Sequence, residues 1–250
     1  MFLSYKYKEF PVVGILLIIN LIYFLFLELN GGSKNWLTLV YYGAKEGLSI
    51  SRGEYWRMLT PIFMHIGFFH LIVNSFGLIV FGPIMEKIFG PTRFLLIYIM
   101  TGIWGNIFSF ISGISVGAGA SGALFGVAGS YAAYLYLNKD DLGKFGRESL
   151  VGLSWIVGIN IIFGFTVSGI DNSAHLGGLI SGIIIGYFLS PILTEYSLTE
   201  NGWQNTLVAF LIALTIGLLV SEDYKWWVVL AALIISSLSY LFPVYLNKPN

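Results

Sequence analysis

Apolar runs long enough to cross a membrane recur along this chain, with polar residues gathered between them. They cover 11–29, 70–89, 94–111, 120–137, 150–167 and 174–193, and two more follow at 203–220 and 226–246. A hydrocarbon core takes roughly 20 helical residues, so each run predicts a transmembrane helix. The run at 203–220 is the weakest because its uncharged core is short. The longest connection, 30–69, mixes Lys34, Lys45, Arg52 and Arg57 with Trp36, Tyr41, Tyr42, Tyr55 and Trp56, a composition suited to the membrane interface. Within it, 58–69 is apolar, half a membrane long and broken by Pro61, and is expected to lie in or dip into the interface. A charged link at 139–148 separates the fourth and fifth spans. The break near 194–201 is the one plausible boundary, giving a six-helix core over 1–193 and an extension over 194–250 of one or two transmembrane helices.

Composition agrees with that pattern. Of 250 residues, 56% are hydrophobic and 10% charged, and mean hydropathy is +0.80, too apolar for a soluble domain of this length. The expected fold class is an all-α, multi-pass integral membrane protein with the lipid bilayer as its solvent. Formal net charge is zero and no basic tract stands out, so nucleic acid is not an expected partner. The absence of cysteine excludes disulfides, thiolate metal sites and cysteine nucleophiles, and neither metal nor cofactor is expected. No cleavable signal is evident, because 11–29 is longer than a signal core and no small-residue cleavage site follows it. With the N-terminus in the cytoplasm, the inner side collects Lys6, Lys8, Lys87, Arg93, Lys139, Lys144, Arg147 and Lys248, eight of the 13 basic residues. That bias favours a plasma-membrane protein with this orientation.

Spans two, four and six then run in one direction, and each begins with polar residues that a membrane helix does not need. His70 and Asn74 open the second, Ser121 the fourth, and Asn172, Ser173 and His175 lie at the start of the sixth. All fall at similar depth, towards the outer side. Intramembrane ionisable residues are costly unless they pair or face a wet cavity, and so mark functional sites. Two histidines that merely tie helices together are the bland alternative; their depth, level with a glycine-flanked serine, argues against it. Gly122 and Gly126 on span four, and Gly178, Gly182 and Gly186 on span six, are four-residue ladders that let helix backbones approach. Close packing of these two spans would bring His175 towards Ser121.

A serine hydroxyl becomes a nucleophile when a neutral imidazole takes its proton. The oxyanion formed on a carbonyl needs donors already in place, and the Ser121 N–H with the His70 and Asn74 side chains could supply them. No carboxylate is placed to orient His175; Asp171, in the preceding loop, is expected to face water. A Ser-His dyad is therefore expected. Ser109, Ser130, Ser154, Ser168 and Ser181 lack a matching histidine and read as packing residues.

These residues resemble the rhomboid family of intramembrane serine proteases. The resemblance rests on Glu54-Tyr55-Trp56-Arg57, on His65, His70 and Asn74 in the pattern H-x4-H-x3-N, on Gly119-Ala120-Ser121-Gly122, and on Ala174-His175-Leu176-Gly177-Gly178 with Gly182. It covers about residues 8–193. It implies a serine endopeptidase in which Ser121 is the nucleophile, His175 the base, and His70 and Asn74 oxyanion partners. It implies too that Trp56 and Arg57 shape the first loop, and that Glu86 and Gly90 stabilise the cytoplasmic end of span two. His65, Gly119, Gly122, Phe125, Gly178 and Gly182 are structural residues near the site. Substrates would be single-span membrane proteins cut near the outer face, where the site opens. Phe125 stands where rhomboids often carry a tyrosine stacked on the catalytic histidine. The competing reading is a non-proteolytic rhomboid-like binder or quality-control factor for membrane clients; a small transporter or channel is disfavoured by the scarcity of ionisable groups in the inner halves of the spans. Sequence is silent on the oligomeric state.

Overall fold

The computed structural model describes residues 10–114 and 116–191. The chain divides into two units, Met1–Pro191 and Ile192–Asn250, and the two runs expected at 203–220 and 226–246 lie outside the described residues. The first helix, α1 (Pro11–Leu29), starts where Pro11 presets the helical φ and gives up no needed donor. It ends at Asn30-Gly31-Gly32, where Gly31 (φ 120°) and Gly32 (φ 93°) turn the chain back and the Gly32 N–H closes on the Leu27 carbonyl at 2.9 Å.

The first loop packs onto the bundle. It contains α2 (Trp36–Tyr41), β1 (Lys45–Glu46), α3 (Gly47–Ser51) and two short 3-10 turns, Tyr55–Met58 and Thr60–Phe63. Arg57, 5% exposed, holds it together by donating to the Glu54 carboxylate (2.6 Å), the Val40 carbonyl (2.5 Å) and the Ala44 carbonyl (3.1 Å). Met58, Ile62 and Met64 are buried, and the Met58 carbonyl accepts from Asn106 Nδ2 at 2.9 Å. The stretch 58–69, expected to lie in or dip into the interface, is tucked against the helices, which satisfies backbone polar groups that would otherwise meet lipid.

One long helical element, α4 (Gly67–Ile111), contains the second and third spans, and Gly90 (φ 76°, ψ 163°) breaks it between them. Only glycine adopts that φ freely, and Pro91 beyond it cannot continue the preceding helix but can start a new one. The two arms are antiparallel. Gly77 lies against Leu124 and Phe89 against Tyr134, whereas Gly102 to Gly105 run back past Ile62 and then Gly122. Next come β2 (Val116–Gly117), paired antiparallel with β1 in the register Lys45 with Gly117, and α5 (Ser121–Leu137). The last two helices are α6 (Lys139–Thr166) and α7 (Asn172–Leu189). The charged link expected at 139–148 is helical, broken only at Gly143 (φ 54°).

Among the described residues, α1, α4, α6 and α7 are long and apolar enough to cross a membrane. α5, with 17 residues, fills the centre. It runs parallel to α7, with Gly122, Gly126 and Ser130 facing Gly178, Gly182 and Gly186 in turn. A Cβ on any of these three α7 glycines would collide with the α5 backbone, so the ladder expected from sequence is the contact surface itself. Ser130 seals it by donating to the Gly182 carbonyl at 2.8 Å. α6 is peripheral: Trp155, Ile159, Ile162, Phe163 and Phe165 are exposed, as suits a lipid-facing helix.

Candidate active site

The parallel course of the first arm of α4, α5 and α7 brings three helix N-termini to one side of the bundle. Ser121 is the first residue of α5, and the preceding Gly119 has φ 143°, conformational freedom that a side chain would deny. His175 sits in the first turn of α7, where Asp171 caps the helix by accepting the Ala174 N–H at 2.9 Å. The Ser121 Oγ and His175 Nε2 are 2.9 Å apart. His175 is 7% exposed, and the Phe125 ring stacks on it with centroids 4.3 Å apart and planes 12° from parallel. Phe125 is one turn beyond Ser121, so a single helix presents both the hydroxyl and the ring that limits imidazole rotation.

His70 faces Ser121 from the other side. Its Nδ1 accepts the Ile66 N–H at 3.3 Å, so its remaining proton is on Nε2. A Cβ built on Gly119 would lie 2.8 Å from that Nε2 and 3.7 Å from Ser121 Oγ. The missing side chain thus leaves a small space bounded by a donor and by the hydroxyl. Asn74, one turn further along the same arm, is 4% exposed, and its Nδ2 has no partner among the described residues. An idle buried amide donor is costly, and its place one turn from His70 makes it a candidate donor for the site.

The expected structural residues divide into two groups. Gly119, Gly122, Phe125 and Gly178 border the dyad, and Gly182 packs against Gly126 a turn further along the same crossing. His65 is wholly buried with its ring 5.4 Å from that of His70; burial, reinforced by His70, lowers its pKa to about 3 and keeps it neutral. Trp56, Arg57 and Glu86 lie elsewhere. Trp56 carries the Arg57 guanidinium 4.5 Å from its ring centroid and belongs to the loop scaffold. Glu86 stands four turns from His70 and caps a different helix from its own, accepting the Val12 and Val13 N–H groups at 3.0 Å each. It fastens the start of α1 to the far end of the first arm.

A family model for the rhomboid domain matches residues 52–192. The chain belongs to the rhomboid family. It is 43% identical over 201 residues to rhomboid protease GluP of Bacillus subtilis (strain 168), covering 80% of this chain and 38% of that protein. To the putative rhomboid protease YdcA of the same organism it is 34% identical over 184 residues, covering 72% of this chain and 89% of the relative. RHOMBOID-like protein 6, mitochondrial, of Arabidopsis thaliana is 37% identical over 170 residues, 67% of this chain and 52% of the relative. This rhomboid is thus an all-α, multi-pass membrane protein.

Two expectations about polar residues are corrected. Asp171 is not simply solvated: one carboxylate oxygen caps α7 and the other accepts the Ser109 hydroxyl. Ser109 is not merely a packing residue, because its hydroxyl also accepts from Lys45 Nζ at 2.7 Å. Lys45 itself is wholly buried. Nothing local in the sequence marks these three as partners, since 64 and 62 residues separate them along the chain.

Proposed function

We propose that this rhomboid is an intramembrane serine endopeptidase that cleaves single-span membrane proteins through a Ser121-His175 dyad. The observation that carries the reading is the 2.9 Å contact between Ser121 Oγ and His175 Nε2, within hydrogen-bond reach of a buried base. Ser121 Oγ attacks the scissile carbonyl carbon while His175 Nε2 takes the hydroxyl proton. The oxyanion develops in the space beside Gly119, towards His70 Nε2–H and the Asn74 amide. His175 then passes its proton to the leaving nitrogen, the C–N bond breaks, and an acyl-enzyme remains on Ser121. Water attacks that ester, giving one proton to His175, which returns it to Ser121 as the acid product leaves.

A carboxylate is not part of this machinery. His175 Nδ1 is buried without a partner among the described residues, and both Asp171 oxygens are engaged elsewhere. The ring is held instead by Phe125 and by the helix that begins at Asp171. The orientation that puts this site towards the outer face of the plasma membrane rests on the distribution of lysine and arginine. Substrates would be membrane helices whose peptide bonds unwind towards Ser121.

The deciding experiment compares wild type, Ser121→Ala and His175→Ala, each folded in detergent, for labelling by a serine-reactive fluorophosphonate. Co-expression with a single-span substrate follows, with the cut mapped by mass spectrometry. Labelling and cleavage by wild type alone are expected. A folded wild type that neither labels nor cleaves would leave the non-proteolytic client binder as the better reading.

A further inference from the structure

Lys45 is the one fully buried ammonium among the described residues, and the reaction just described does not use it. Burying a cation costs several kcal/mol unless good partners replace its water. Its Nζ donates to Ser109 Oγ at 2.7 Å and to the Ile114 carbonyl. Ser109 Oγ donates in turn to the second oxygen of Asp171. Asp171 is attached twice to the helix carrying the base: its carboxylate accepts the Ala174 N–H at 2.9 Å, and its carbonyl accepts the His175 N–H at 3.2 Å.

The same three groups meet against the strand that leads to the nucleophile. A Cβ on Gly117 would lie 3.4 Å from Lys45 Cε, 3.5 Å from Asp171 Oδ2 and 3.8 Å from Ser109 Oγ. Gly117 pairs with Lys45 in the β1-β2 ribbon and stands four residues before Ser121. The network therefore touches the approach to Ser121 on one side and the cap beneath His175 on the other. The other acidic group facing Lys45 is Glu46, and its carboxylate caps α3, accepting the Leu48 and Ser49 N–H groups at 2.9 and 2.7 Å. Asp171 is thus the carboxylate whose position depends on the lysine.

We propose that Lys45, Ser109 and Asp171 form a positioning relay that locks the strand before Ser121 to the start of α7, and so sets the separation of nucleophile and base. This inference rests on the peptidase reading above. The relay residues touch no reacting atom; they act through the placement of His175. A triad would orient the imidazole by a carboxylate on its free nitrogen, whereas this carboxylate acts on the helix that carries the ring.

The test is saturation kinetics of fluorophosphonate labelling on the full chain in detergent, well below the melting temperature of each variant. Ser109→Ala removes one hydroxyl and keeps both charges. Its maximal labelling rate is expected to fall about 10-fold with the inhibitor's half-saturating concentration unchanged, the split that misplacement of an intact site produces. Asp171→Ala, which also loses the cap, should fall further than Asp171→Asn. The double variant Lys45→Met with Asp171→Asn should be no slower than the slower of its single variants, because both remove one interaction. Folded Ser109→Ala and Asp171→Asn proteins that label within twofold of wild type would overturn the relay. So would fold-changes that multiply in the double variant. If Ser109→Ala does not fold, Asp171→Asn carries the test alone, and a maximal rate within twofold of wild type there overturns the relay. Should wild type label while His175→Ala does not, such results would sink the relay alone; an unlabelled wild type removes the peptidase reading and the relay together.

Discussion

Replacing Gly178 by alanine adds one methyl group at a close crossing of α5 and α7. The new Cβ would stand 2.8 Å from the Gly122 carbonyl carbon and 3.2 Å from its Cα, with the carbonyl oxygen closer still. Those neighbours are backbone atoms of a helix already packed against α4 on its other side, and no side-chain rotation relieves the clash. Close-packed interiors transmit such strain instead of absorbing it, so α5 and α7 must part by roughly 1 Å at this level. Gly122 adjoins Ser121, and Gly178 is one turn from His175, so the shift falls on the 2.9 Å contact between them. A displacement of about 1 Å at a reacting pair costs about 100-fold in rate, or roughly 3 kcal/mol of barrier. The assay is the fluorophosphonate labelling rate of folded protein, with Gly152→Ala as the control. Gly152 has nothing within 4 Å of an added Cβ, and its variant should label as wild type. A folded Gly178→Ala protein labelling at the wild-type rate would refute the claim that helix approach sets the dyad.

Asn74→Ala should slow acylation about 10- to 1,000-fold, the range for loss of one oxyanion donor, and leave folding largely intact; an unchanged rate in the labelling assay would remove Asn74 from the mechanism. Phe125→Tyr preserves the ring that stacks on His175 and should stay within about threefold of wild type, while Phe125→Ala should lose about 10-fold or more as the imidazole gains freedom. The buried, neutral His65 makes folding pH-dependent. Its pKa is about 3 when folded against about 6.5 when exposed, so the unfolded chain binds the proton first. Stability is full above about pH 6.5 and falls as pH drops towards 3, by roughly 3 kcal/mol at pH 4.5. Thermal melts from pH 7 to 4 should show that acid limb, and His65→Gln should flatten it; an acid limb of equal depth in the variant would reassign it.

The parts of this site that were legible in the sequence are those whose signal is local. Ser121 flanked by glycines, His70 and Asn74 four apart, and the glycine ladder following His175 each advertise themselves within a few residues. The common direction of the second, fourth and sixth spans then requires only alternation across a membrane. What stayed hidden depends on contacts between distant segments. The family resemblance marks Glu86 as stabilising its end of the second span, but its partners, the Val12 and Val13 N–H groups more than 70 residues away, leave no local sign. Lys45 looks like any interfacial lysine among aromatic residues, and its burial follows from the pairing of β1 with β2, two-residue strands too short to leave a periodic pattern. Asp171 gave the most misleading signal, because a carboxylate in a polar loop before a helix is equally consistent with solvation and with capping.

A base without a partnering carboxylate must be aimed by some other means. In water, a dyad would lose alignment through rotation of the imidazole about its own bonds. Here Phe125 covers one face of the ring, the Gly122 and Gly178 crossing fixes the distance between the helices, and the Asp171 cap fixes where α7 begins. Each constraint acts on the backbone or on the face of the ring. That arrangement suits a site under lipid, where a second buried charge next to His175 would carry its own desolvation cost. The anionic group stands one turn below and is tied through the Ser109 hydroxyl to Lys45, so its carboxylate holds the start of α7 without touching the ring. Variants that loosen the aim while keeping both charges, Ser109→Ala among them, should slow acylation with little change in its pH dependence.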